Sequence, residues 1–386
     1  MTSAPCLRVL SIAHCAVSRQ AGRLRYHPLA ARSDLEVHLL VPRRWHEYGR
    51  MIDADPPDDR GLRVHALPIL LPRAGPMNWY LHFYPGLHRL IRQVRPDVIH
   101  LWEEPWSVIA LQASLLSGDA AVVMEVDQNI IKRLPPPFEA IRRHVLRRTD
   151  HVLSRHEEAT SVVRAKGYQG PVSAIGYGVN RDIFSPAGEA DRAGPPRRGL
   201  RLGYVGRVLE EKGLDEALDA MVRARSPVFL AIMGEGAYEA RLRQRVAELG
   251  LESRVTFQPW RPPAEVAHFI RGLDVLILLS RSTKKWREQF GRVILEAQSC
   301  GVPVIGSKSG AIPDVIGPGG WIVPERDPVA LAHCLDAIAS QPDDELRNRG
   351  RAGQTNVASR FTFEIVAQSL AQAWSDAAAT RRGRTR

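Results

Sequence analysis

The residues Trp286-Arg-Glu-Gln-Phe-Gly-Arg-Val-Ile-Leu-Glu296, continued by Ala297-Gln-Ser-Cys-Gly-Val-Pro-Val-Ile-Gly306, contain the clearest structural signal in the sequence. The run before them, at 274–280, is apolar and β-rich, as is typical of a buried parallel strand. Residues 290–299 have a helical pattern, which a Gly-Val-Pro turn ends before the next apolar run. This order of strand, helix and strand predicts an α/β fold with a parallel sheet.

Two glutamates of this stretch, Glu288 and Glu296, are candidate ligand-binding residues. Glu288 falls in the loop after a predicted strand, and Glu296 falls one to two turns into the following helix. Ligands of open parallel sheets bind at the carboxyl ends of the strands. The pattern therefore places both carboxylates at the edge of the sheet where a site is expected.

The same alternation of strand-like and helix-like runs extends over almost the whole chain and predicts two domains. We expect a Rossmann-like first domain at 1–186, a linker rich in glycine and proline at 187–199, and a second domain at 200–360. A helix at 361–378 is a candidate to pack back on the first domain, and a disordered basic tail is predicted at 379–386. The expected architecture is two doubly wound parallel sheets that face each other across a cleft.

Composition narrows the class of protein. The 386 residues are 44% hydrophobic and 25% charged, which is typical of a globular protein. The cysteines lack a CxxC or paired spacing, and no run reaches the length of a membrane span, so a cytoplasmic location is expected. The formal net charge of +11 favours an anionic partner, such as a phosphorylated small molecule, an acidic membrane surface or nucleic acid.

A second group of candidate residues follows a predicted strand that ends at Gly206. The glycine permits a tight turn, and Arg207 and Lys212 are two cations from the same loop. Two such cations suit a diphosphate, although a solvated basic loop would have the same composition. Gly310 and Asp314 belong to a loop that resembles the first turn of a short helix, where free backbone N–H groups attract anions or sugar hydroxyls.

Together these motifs resemble those of the retaining glycosyltransferases of the GT-B fold, in glycosyltransferase family 4 (glycosyl transferases group 1). The segments that carry the resemblance are Gly178-Val-Asn-Arg-Asp-Ile-Phe-Ser-Pro186, Gly206-Arg207 with Lys212-Gly213, Gly234-Glu-Gly236, Glu288-Gln-Phe-Gly291, Glu296-Ala297, Gly301-Val-Pro-Val-Ile305, and Gly310 with Asp314. The first half is looser, and matches phrases of a subset of the family at Glu103-Glu-Pro-Trp106, Gln128-Asn129 and Pro135-Pro-Pro-Phe138.

The resemblance implies a metal-independent transfer of a sugar from a nucleotide diphosphate sugar to a hydroxyl acceptor, with retention at the anomeric carbon. The second domain would bind the donor. The first would bind the acceptor, which could be a glycan, a lipid-linked molecule or a small molecule. The resemblance favours UDP- or GDP-linked sugars as donors, and it implies neither a cofactor nor a metal ion.

The family's donor contacts can be carried over residue by residue. Glu296 would bind the ribose hydroxyls, and Glu288 would bind hydroxyls of the donor sugar together with the backbone of the residues that follow it. Arg207 and Lys212 would neutralise the leaving diphosphate. The remaining donor-binding positions implied by the resemblance are Gly206, Phe290, Gly291, Gly310 and Asp314.

The first domain departs from the family pattern in two places. The usual glycine-rich loop after the first strand is replaced by a segment whose nearest glycine is Gly22, so that Arg19, Arg23 or Arg25 could supply charge instead. The histidine that many members carry near the donor sugar has no single equivalent, because Asp127 or Gln128 could occupy its place. The candidates for the acceptor or sugar side are His14, Glu103, Glu104, Asp127 and Gln128.

Other functions remain open at this stage. Asp53-Ala-Asp55 has the form of a metal-binding DxD, but it reads as a solvated turn, and no zinc-type spacing occurs. The altered first-domain loop is compatible with a catalytically silent nucleotide-sugar binder that supports a partner transferase. A nucleotide-sugar epimerase could share the fold, and a glycosidase could use two glutamates. Nucleic-acid binding would rest on charge alone, without a recognisable module.

The basic charge has two candidate uses. Residues 76–92 are aromatic, then amphipathic and basic, and four arginines crowd one predicted helix, at Arg142, Arg143, Arg147 and Arg148. This composition suits peripheral association with an anionic membrane at its inner face, which would fit a lipid-linked acceptor. The alternative is a helix that packs on the sheet with its arginines in solvent.

Overall fold

Each of the two units of the chain contains one open sheet whose strands are almost entirely parallel. The computed structural model describes residues 6–20, 22–47, 50–71, 77–186 and 199–385. The first unit comprises Met1–Gly178 and Phe363–Arg386, and the second comprises Val179–Thr362. The predicted linker at 187–199 lies outside the described residues, except for Gly199.

The strands of the first unit are β1 (Leu7–Ile12), β2 (Leu35–Pro42), β3 (Arg44–Glu47), β4 (Arg50–Asp53), β5 (Asp58–Asp59), β6 (Leu62–Leu67), β7 (Val98–Leu101), β8 (Ala121–Val126), β9 (His151–Ser154) and β10 (Val172–Ala174). Its first six helices are α1 (His27–Ala30), α2 (Asn78–Leu81), α3 (Leu87–Val94), α4 (Val108–Leu116), α5 (Phe138–Arg148) and α6 (Glu157–Ala165). The sheet order is β10-β9-β8-β7-β1-β2-β6-β5, and β3 pairs with β4 in a separate antiparallel hairpin.

The strands of the second unit are β11 (Leu200–Val205), β12 (Val228–Met233), β13 (Val255–Gln258), β14 (Val275–Leu278), β15 (Val304–Ser307) and β16 (Gly320–Val323). Its helices are α7 (Leu214–Arg223), α8 (Glu239–Glu248), α9 (Pro263–Arg271), α10 (Arg292–Ser299), α11 (Ile312–Ile316), α12 (Pro328–Ala339) and α13 (Asp343–Arg360). The sheet is entirely parallel, in the order β13-β12-β11-β14-β15-β16.

Both sheets contain a reversal of strand order. In the first unit β1 pairs with β2 on one side and with β7 on the other, and in the second unit β11 pairs with β12 and β14 in the same way. At such a switch point the loops of neighbouring strands diverge to opposite faces and leave a crevice at the carboxyl ends. The prediction of two doubly wound, Rossmann-like sheets is confirmed.

The last helix, α14 (Phe363–Thr385), belongs to the first unit, although the whole second unit precedes it in the chain. Its buried side chains Val366, Leu370 and Trp374 share one apolar cluster with strand residues such as Val9 and Val98. The other face of the sheet packs on a second cluster that includes side chains of α3, α4 and α5. Helix α14 therefore covers one face of the first sheet.

The boundaries of the last segments differ from the predicted ones. The stretch predicted as a disordered tail at 379–386 is helical as far as Thr385, and Arg386 lies outside the described residues. Arginine has a high helix propensity. The arginines of this segment also have partners, since Arg381 donates to the carbonyl of Gly118 at 3.2 Å and Arg384 lies 3.3 Å from Asp150. Residues 179–186 group with the second unit rather than the first.

Helix α13 was not predicted, because glycines at two internal positions lower helix propensity. Gly350 is required by close packing, since a β-carbon there would lie 2.2 Å from the backbone oxygen of Gly301. The side-chain amide of Asn356 donates to Gln298 of α10 at 2.9 Å and to the backbone oxygen of Val315 at 2.9 Å. These contacts fix α13 against α10 and α11.

Replacement of Trp374 by alanine should destabilise the first unit, because the indole is completely buried in the cluster under α14. Removal of such a side chain typically costs about 3–5 kcal/mol. Urea unfolding followed by circular dichroism measures the change. The matched control is Trp260→Ala, whose side chain is 58% exposed and which should change stability by less than about 0.5 kcal/mol. Equal effects of the two substitutions would contradict the position of α14.

Candidate functional site

The loop after β11 supplies the predicted cations of the second unit. The hydroxyl of Tyr204 donates a hydrogen bond to the backbone oxygen of Arg207 at 2.7 Å, which fixes the turn that begins at Gly206. Arg207 is exposed. Residues Glu210–Lys212 form a short 3-10 helix, and the Lys212 side chain is only 12% exposed. The loop is therefore held by its own backbone contacts, with one cation exposed and one largely covered.

Lys212 and Glu288 form the central ion pair of the candidate site. The Nζ atom of Lys212 lies 2.7 Å from Oε2 of Glu288, and the hydroxyl of Ser280 donates to the same oxygen at 2.8 Å. The Trp286 ring lies beside the ammonium group, with Nζ 4.5 Å from the ring centroid. The pair joins the loop after β11 to the loop after β14, as adjacency of the two strands at the switch point allows.

Gly310 permits a third loop to lie against Glu288. Its φ is +51°, and a β-carbon at this position would lie 2.0 Å from the backbone oxygen of Glu288. The backbone N–H of Ala311 donates to that oxygen at 3.3 Å. Glycine is needed because no other residue allows this approach at a positive φ. The main chain of Glu288 is thus fixed from the loop after β15.

Three residues that the sequence analysis did not select hold the loop after β14. Arg281 lies 2.5 Å from Glu216 of α7, and its backbone N–H donates to the oxygen of Glu211 at 2.7 Å. The backbone N–H and the hydroxyl of Ser282 both donate to the carboxylate of Glu325 at 2.6 Å. Arg281 and Ser282 directly follow a predicted strand, and this position could have identified them as candidates. No comparable sequence pattern marks Glu325.

Phe290 and Gly291 form the entry to α10. The Phe290 side chain is buried and lies edge-on to the ring of Phe361, with centroids 5.6 Å apart. Gly291 has φ +84° and is the residue before the first turn of the helix. Both positions set the start of α10, so their backbone groups are held in place beside the Glu288 loop.

Glu296 and Asp314 have different surroundings. Glu296 lies within α10, and burial raises the pKa of its carboxyl group, with Arg292 opposing the shift. Asp314 of α11 is exposed and pairs with Arg360 of α13 at 2.9 Å. The structure therefore gives the Asp314 carboxylate a partner that belongs to the packing of α13, and its role at a donor site stays a prediction.

The first unit brings His14 and Glu103 together at the carboxyl ends of β1 and β7. The backbone N–H of His14 donates to Oε1 of Glu103 at 2.9 Å, and Nδ1 of the ring lies 2.7 Å from Oε2. Glu103 is buried, and the His14 side chain is 14% exposed. The ring centroids of Trp45 and Trp79 lie 4.6 and 5.8 Å from the centroid of the His14 ring. The structure thus brings together two of the candidates for the acceptor or sugar side and places them beside two tryptophan rings, while their role stays a prediction.

A buried histidine that the sequence analysis did not select lies beside this pair. Nε2 of His82 is 3.9 Å from Oε1 of Glu103, and the His82 and His14 rings have centroids 5.6 Å apart. Burial lowers the pKa of His82, while the charge of Glu103 opposes the shift. His82 follows helix α2 and not a strand. A search for polar residues at the carboxyl ends of predicted strands therefore does not identify it.

Glu104, Asp127 and Gln128 lie on neighbouring loops of the same sheet edge. The backbone N–H of Asp127 donates to Oε1 of Glu104 at 3.2 Å, whereas Oε2 is shielded from solvent and has no hydrogen-bond partner within the described part of the chain. Burial, reinforced by the charge of Asp127, raises the pKa of Glu104 to about 8. Asp127 pairs with Arg155 at 3.0 Å, and the side chain of Gln128 accepts from the N–H of Ile130 at 3.2 Å.

The expectation that Arg23 or Arg25 supplies charge in place of a glycine-rich loop is wrong. Arg23 is fully buried and donates to backbone oxygens, among them that of Ala16 at 3.0 Å. Arg25 is buried, lies 2.7 Å from Glu125 and stacks on Trp102 with its guanidinium carbon 4.1 Å from the ring centroid. Both arginines hold the loop itself. Arg19 remains 42% exposed beside Asp59.

Glu125 of β8 is the buried anion that Arg25 and Arg155 neutralise. Burial alone would raise its pKa, but the two guanidinium groups hold the pKa well below the usual value for a glutamate. The ring of His100 lies 3.1 Å from the same carboxylate. Because Arg155 also contacts Asp127, this buried charge cluster positions the residues at the end of β8.

The two aspartates of the DxD sequence have protein partners. Asp53 ends β4 and lies 2.6 Å from Arg44 across the hairpin, and Asp55 accepts from the backbone N–H of Arg19 at 2.7 Å. The Asp53 side chain is solvated as expected, being 68% exposed, but Asp53 ends a strand of the β3–β4 hairpin and does not lie in a turn.

The basic helix α5 is partly neutralised within the protein. Arg142 is buried and pairs with Glu139, and Arg148 pairs with Asp150 at 3.1 Å, while Arg143 and Arg147 are exposed. Only half of the four predicted surface arginines therefore face solvent.

Among the described residues, no helix combines the length and the apolar character needed to cross a membrane.

Two family models match consecutive parts of this chain. The model for Glycosyltransferase Family 4 matches residues 29–183, and the model for Glycosyl transferases group 1 matches residues 191–355. Between them they include most of both units. The second match contains every donor-side residue singled out above.

The relatives of this chain include D-inositol 3-phosphate glycosyltransferases. The protein of Frankia alni is 32% identical over 224 residues, which is 53% of this chain and 53% of the relative. That of Corynebacterium jeikeium is 28% identical over 300 residues, which is 70% of this chain and 66% of the relative. The chain spans about half the length of the first curated relatives it matches.

Solved structures of similar fold extend over almost the whole chain. Sucrose-phosphate synthase of Thermosynechococcus elongatus has a TM-score of 0.74 and 20% identity, over 97% of this chain and 100% of its own. HepE of Anabaena, solved in complex with UDP and glucose, has a TM-score of 0.69 and 17% identity, over 96% of this chain and 99% of its own. The fold is that of the GT-B glycosyltransferases. Within that class, the chain belongs to glycosyltransferase family 4, glycosyl transferases group 1.

Glu104→Gln should make the stability of the first unit less sensitive to pH. A carboxyl group with a pKa of about 8 stays protonated in the folded state, whereas the unfolded glutamate ionises near pH 4.3. The free energy of unfolding therefore falls as pH rises from about 5 to about 8.5, by on the order of 2–4 kcal/mol, and this loss is absent in the amide variant.

Urea unfolding at a series of pH values measures this difference. Wild type and Glu104→Gln should have similar stability near pH 5 and should diverge progressively between about pH 5 and about pH 8.5, with the variant the more stable at the higher pH. Glu157→Gln, at an exposed position of α6, is the control and should follow wild type. Parallel stability curves for wild type and Glu104→Gln would show that Glu104 ionises normally.

Proposed function

We propose that this protein transfers a sugar from a nucleotide diphosphate sugar to a hydroxyl acceptor, with retention at the anomeric carbon and without a metal ion at the donor diphosphate. The observation that carries the proposal is the Lys212–Glu288 pair at the switch point of the second sheet, with Ser280 on the same carboxylate oxygen. A cation and a hydroxyl-binding carboxylate in one place match the two chemically distinct parts of a sugar diphosphate.

The diphosphate is assigned to Arg207 and Lys212. A departing diphosphate gains negative charge in the transition state, and fixed cations stabilise that charge without reorganisation. Lys212 is already held by Glu288 and lies against Trp286, so that its ammonium group is preorganised. Arg207, exposed on the same loop, provides the planar fork that suits phosphate oxygens. These two cations perform the task that a divalent ion performs in metal-dependent transferases.

The sugar and the ribose are assigned to the two glutamates. Glu288 accepts hydrogen bonds from donor-sugar hydroxyls, together with the backbone at Phe290 and Gly291. Glu296 accepts from the vicinal diol of the ribose, which favours the ionised form of a carboxyl group whose pKa is otherwise raised by burial. The HepE complex with UDP and glucose supports a donor of this kind, and UDP- or GDP-linked sugars are the first to test.

The acceptor is assigned to the first unit. His14, Glu103, Glu104, Asp127 and Gln128 lie at the carboxyl edge of its sheet, where a polyhydroxylated molecule would find both donors and acceptors of hydrogen bonds. The names of the relatives support a hydroxyl acceptor that carries phosphate. The exposed arginines of α5 could contact an anionic membrane surface, so the proposal includes a lipid-linked acceptor.

A second candidate function is a catalytically silent nucleotide-sugar binder. It is favoured by the first-unit loop, whose Arg23 and Arg25 are committed to internal contacts. Turnover of donor by the purified chain, measured as release of nucleoside diphosphate in the presence of acceptor, would exclude this function. Comparison of the anomeric configuration of donor and product by NMR tests retention, and an isomer formed from donor alone would indicate an epimerase.

Glu288→Gln should lower turnover by about 10²–10³ while nucleotide binding is retained, because an amide cannot replace the charge that holds Lys212 and accepts two sugar hydroxyls. Steady-state transfer assays and calorimetric titration with nucleoside diphosphate measure the two effects. Glu248→Gln on the surface of α8 is the matched control. Turnover of Glu288→Gln close to that of wild type would remove Glu288 from the site.

A nucleotide sugar that fits should raise the unfolding temperature of the protein, and addition of a chelator should not reduce the shift. At about 100 times its dissociation constant, the ligand adds roughly 2.7 kcal/mol to the free energy of unfolding. Thermal unfolding against UDP, GDP, ADP and dTDP sugars, with Mg²⁺ or with chelator, measures this. Absence of any shift would oppose the donor site, and a shift that requires Mg²⁺ would oppose metal-free binding.

A further inference from the structure

Three potential metal ligands meet at the switch point of the first sheet. His14 follows β1, Glu103 follows β7, and His82 follows α2, and one ligand atom from each lies within 4.8 Å of the others. Glu103 and His82 are fully shielded from solvent, and the His14 side chain is 14% exposed. The three residues are far apart in sequence, so no spacing rule reveals the cluster.

The orientation of His82 points to a ligand. Its Nδ1 donates to the backbone oxygen of Asn78 at 2.8 Å, so that the neutral ring has its lone pair on Nε2. This Nε2 atom is buried, has no hydrogen-bond partner among the described residues, and lies 3.9 Å from the carboxylate oxygen Oε1 of Glu103. Two buried acceptors that face each other are unfavourable unless a donor or a cation lies between them. A backbone carbonyl that fixes the opposite ring nitrogen is the usual arrangement behind a metal-bound histidine.

Aromatic rings restrict the cluster further. The Trp45 ring is buried and lies 4.6 Å from the His14 ring and 5.0 Å from the His82 ring. The Tyr84 ring packs edge-on to His82 at 6.0 Å. The two imidazoles therefore have little freedom to turn away from Glu103. An apolar wall also strengthens the attraction between a carboxylate and a cation.

We propose that His14, His82 and Glu103 bind one divalent transition-metal ion of the Zn²⁺ type. Two imidazoles and one carboxylate are ligands that Zn²⁺ prefers, and three protein ligands leave a position for water or a substrate oxygen. His14 binds through Nδ1, with its ring proton moved to Nε2. Zinc–nitrogen bonds are about 2.0–2.1 Å long, so two ligand atoms of one zinc ion lie at most about 4.2 Å apart. The ligand atoms of His14, His82 and Glu103 lie within 4.8 Å of one another. Side-chain movements of less than about 1 Å would therefore bring them to bonding positions.

This site is independent of the donor chemistry proposed for the second unit. It predicts metal binding by the 386-residue chain whether or not transfer occurs. Its experiment therefore uses binding rather than activity as the readout. The protein is stripped with chelator, returned to chelator-free buffer and titrated with Zn²⁺ by calorimetry, and with Co²⁺ by visible absorption. Circular dichroism confirms that each variant is folded.

The expected result is one equivalent of Zn²⁺ bound, with at least about a 100-fold loss of affinity in His82→Gln. The matched control is His65→Gln, which removes a histidine of the same unit that pairs with His38 at 2.9 Å and should leave metal binding unchanged. If His82→Gln does not fold, His14→Gln replaces a partly exposed ligand and gives the same comparison. Less than one equivalent in wild type, or equal affinity in the ligand variants and His65→Gln, would overturn the proposal and leave a proton or water between His82 and Glu103.

Discussion

The reversal of strand order between β11 and β14, repeated between β1 and β7, is the constraint on which both candidate sites depend. Parallel strands that neighbour each other at such a point send their following loops in opposite directions, and the carboxyl ends stay accessible. In the second unit this brings Lys212 to Glu288, and in the first it brings His14 to Glu103. Residues that are 76 and 89 positions apart in sequence thus meet because their strands are neighbours in the sheet.

Each edge is then stabilised by charge pairs between loops. In the second unit, Arg281 joins the loop after β14 to α7, and Glu325 binds the backbone and hydroxyl of Ser282. In the first unit, Arg155 connects buried Glu125 to Asp127. A buried charge is costly without a partner, so loss of one member of such a set leaves an uncompensated ion. The supporting pairs therefore keep the ligand-facing side chains in one geometry before a ligand arrives.

The sequence revealed those parts of the structure that depend on local pattern. Apolar strands, and the cations or carboxylates in the loops that follow them, are readable from local pattern, as at Lys212 and Glu288, whereas Glu103 is a candidate through the family resemblance of its segment. Features that depend on tertiary contacts were not readable. Helix α13 contains Gly350, which packs on the backbone of Gly301, and Gly353, which packs on the side chain of Gln298. The position of His82 beside Glu103 likewise depends on a tertiary contact. The sequence does not show that Arg23 donates to backbone oxygens of its own loop, such as that of Ala16, or that Arg25 pairs with the distant Glu125.

The position of α14 at the end of the chain has a consequence for synthesis on the ribosome. The second unit is formed by one continuous segment and is fully translated before α14 leaves the exit tunnel. The first unit is translated first, yet one face of its sheet remains without Val366, Leu370 and Trp374 until α14 has also been translated. Domains usually fold in the order of their synthesis. In this protein the first unit begins synthesis first but is completed after the second unit. The nascent first sheet therefore exposes an apolar face for as long as it takes to translate the second unit.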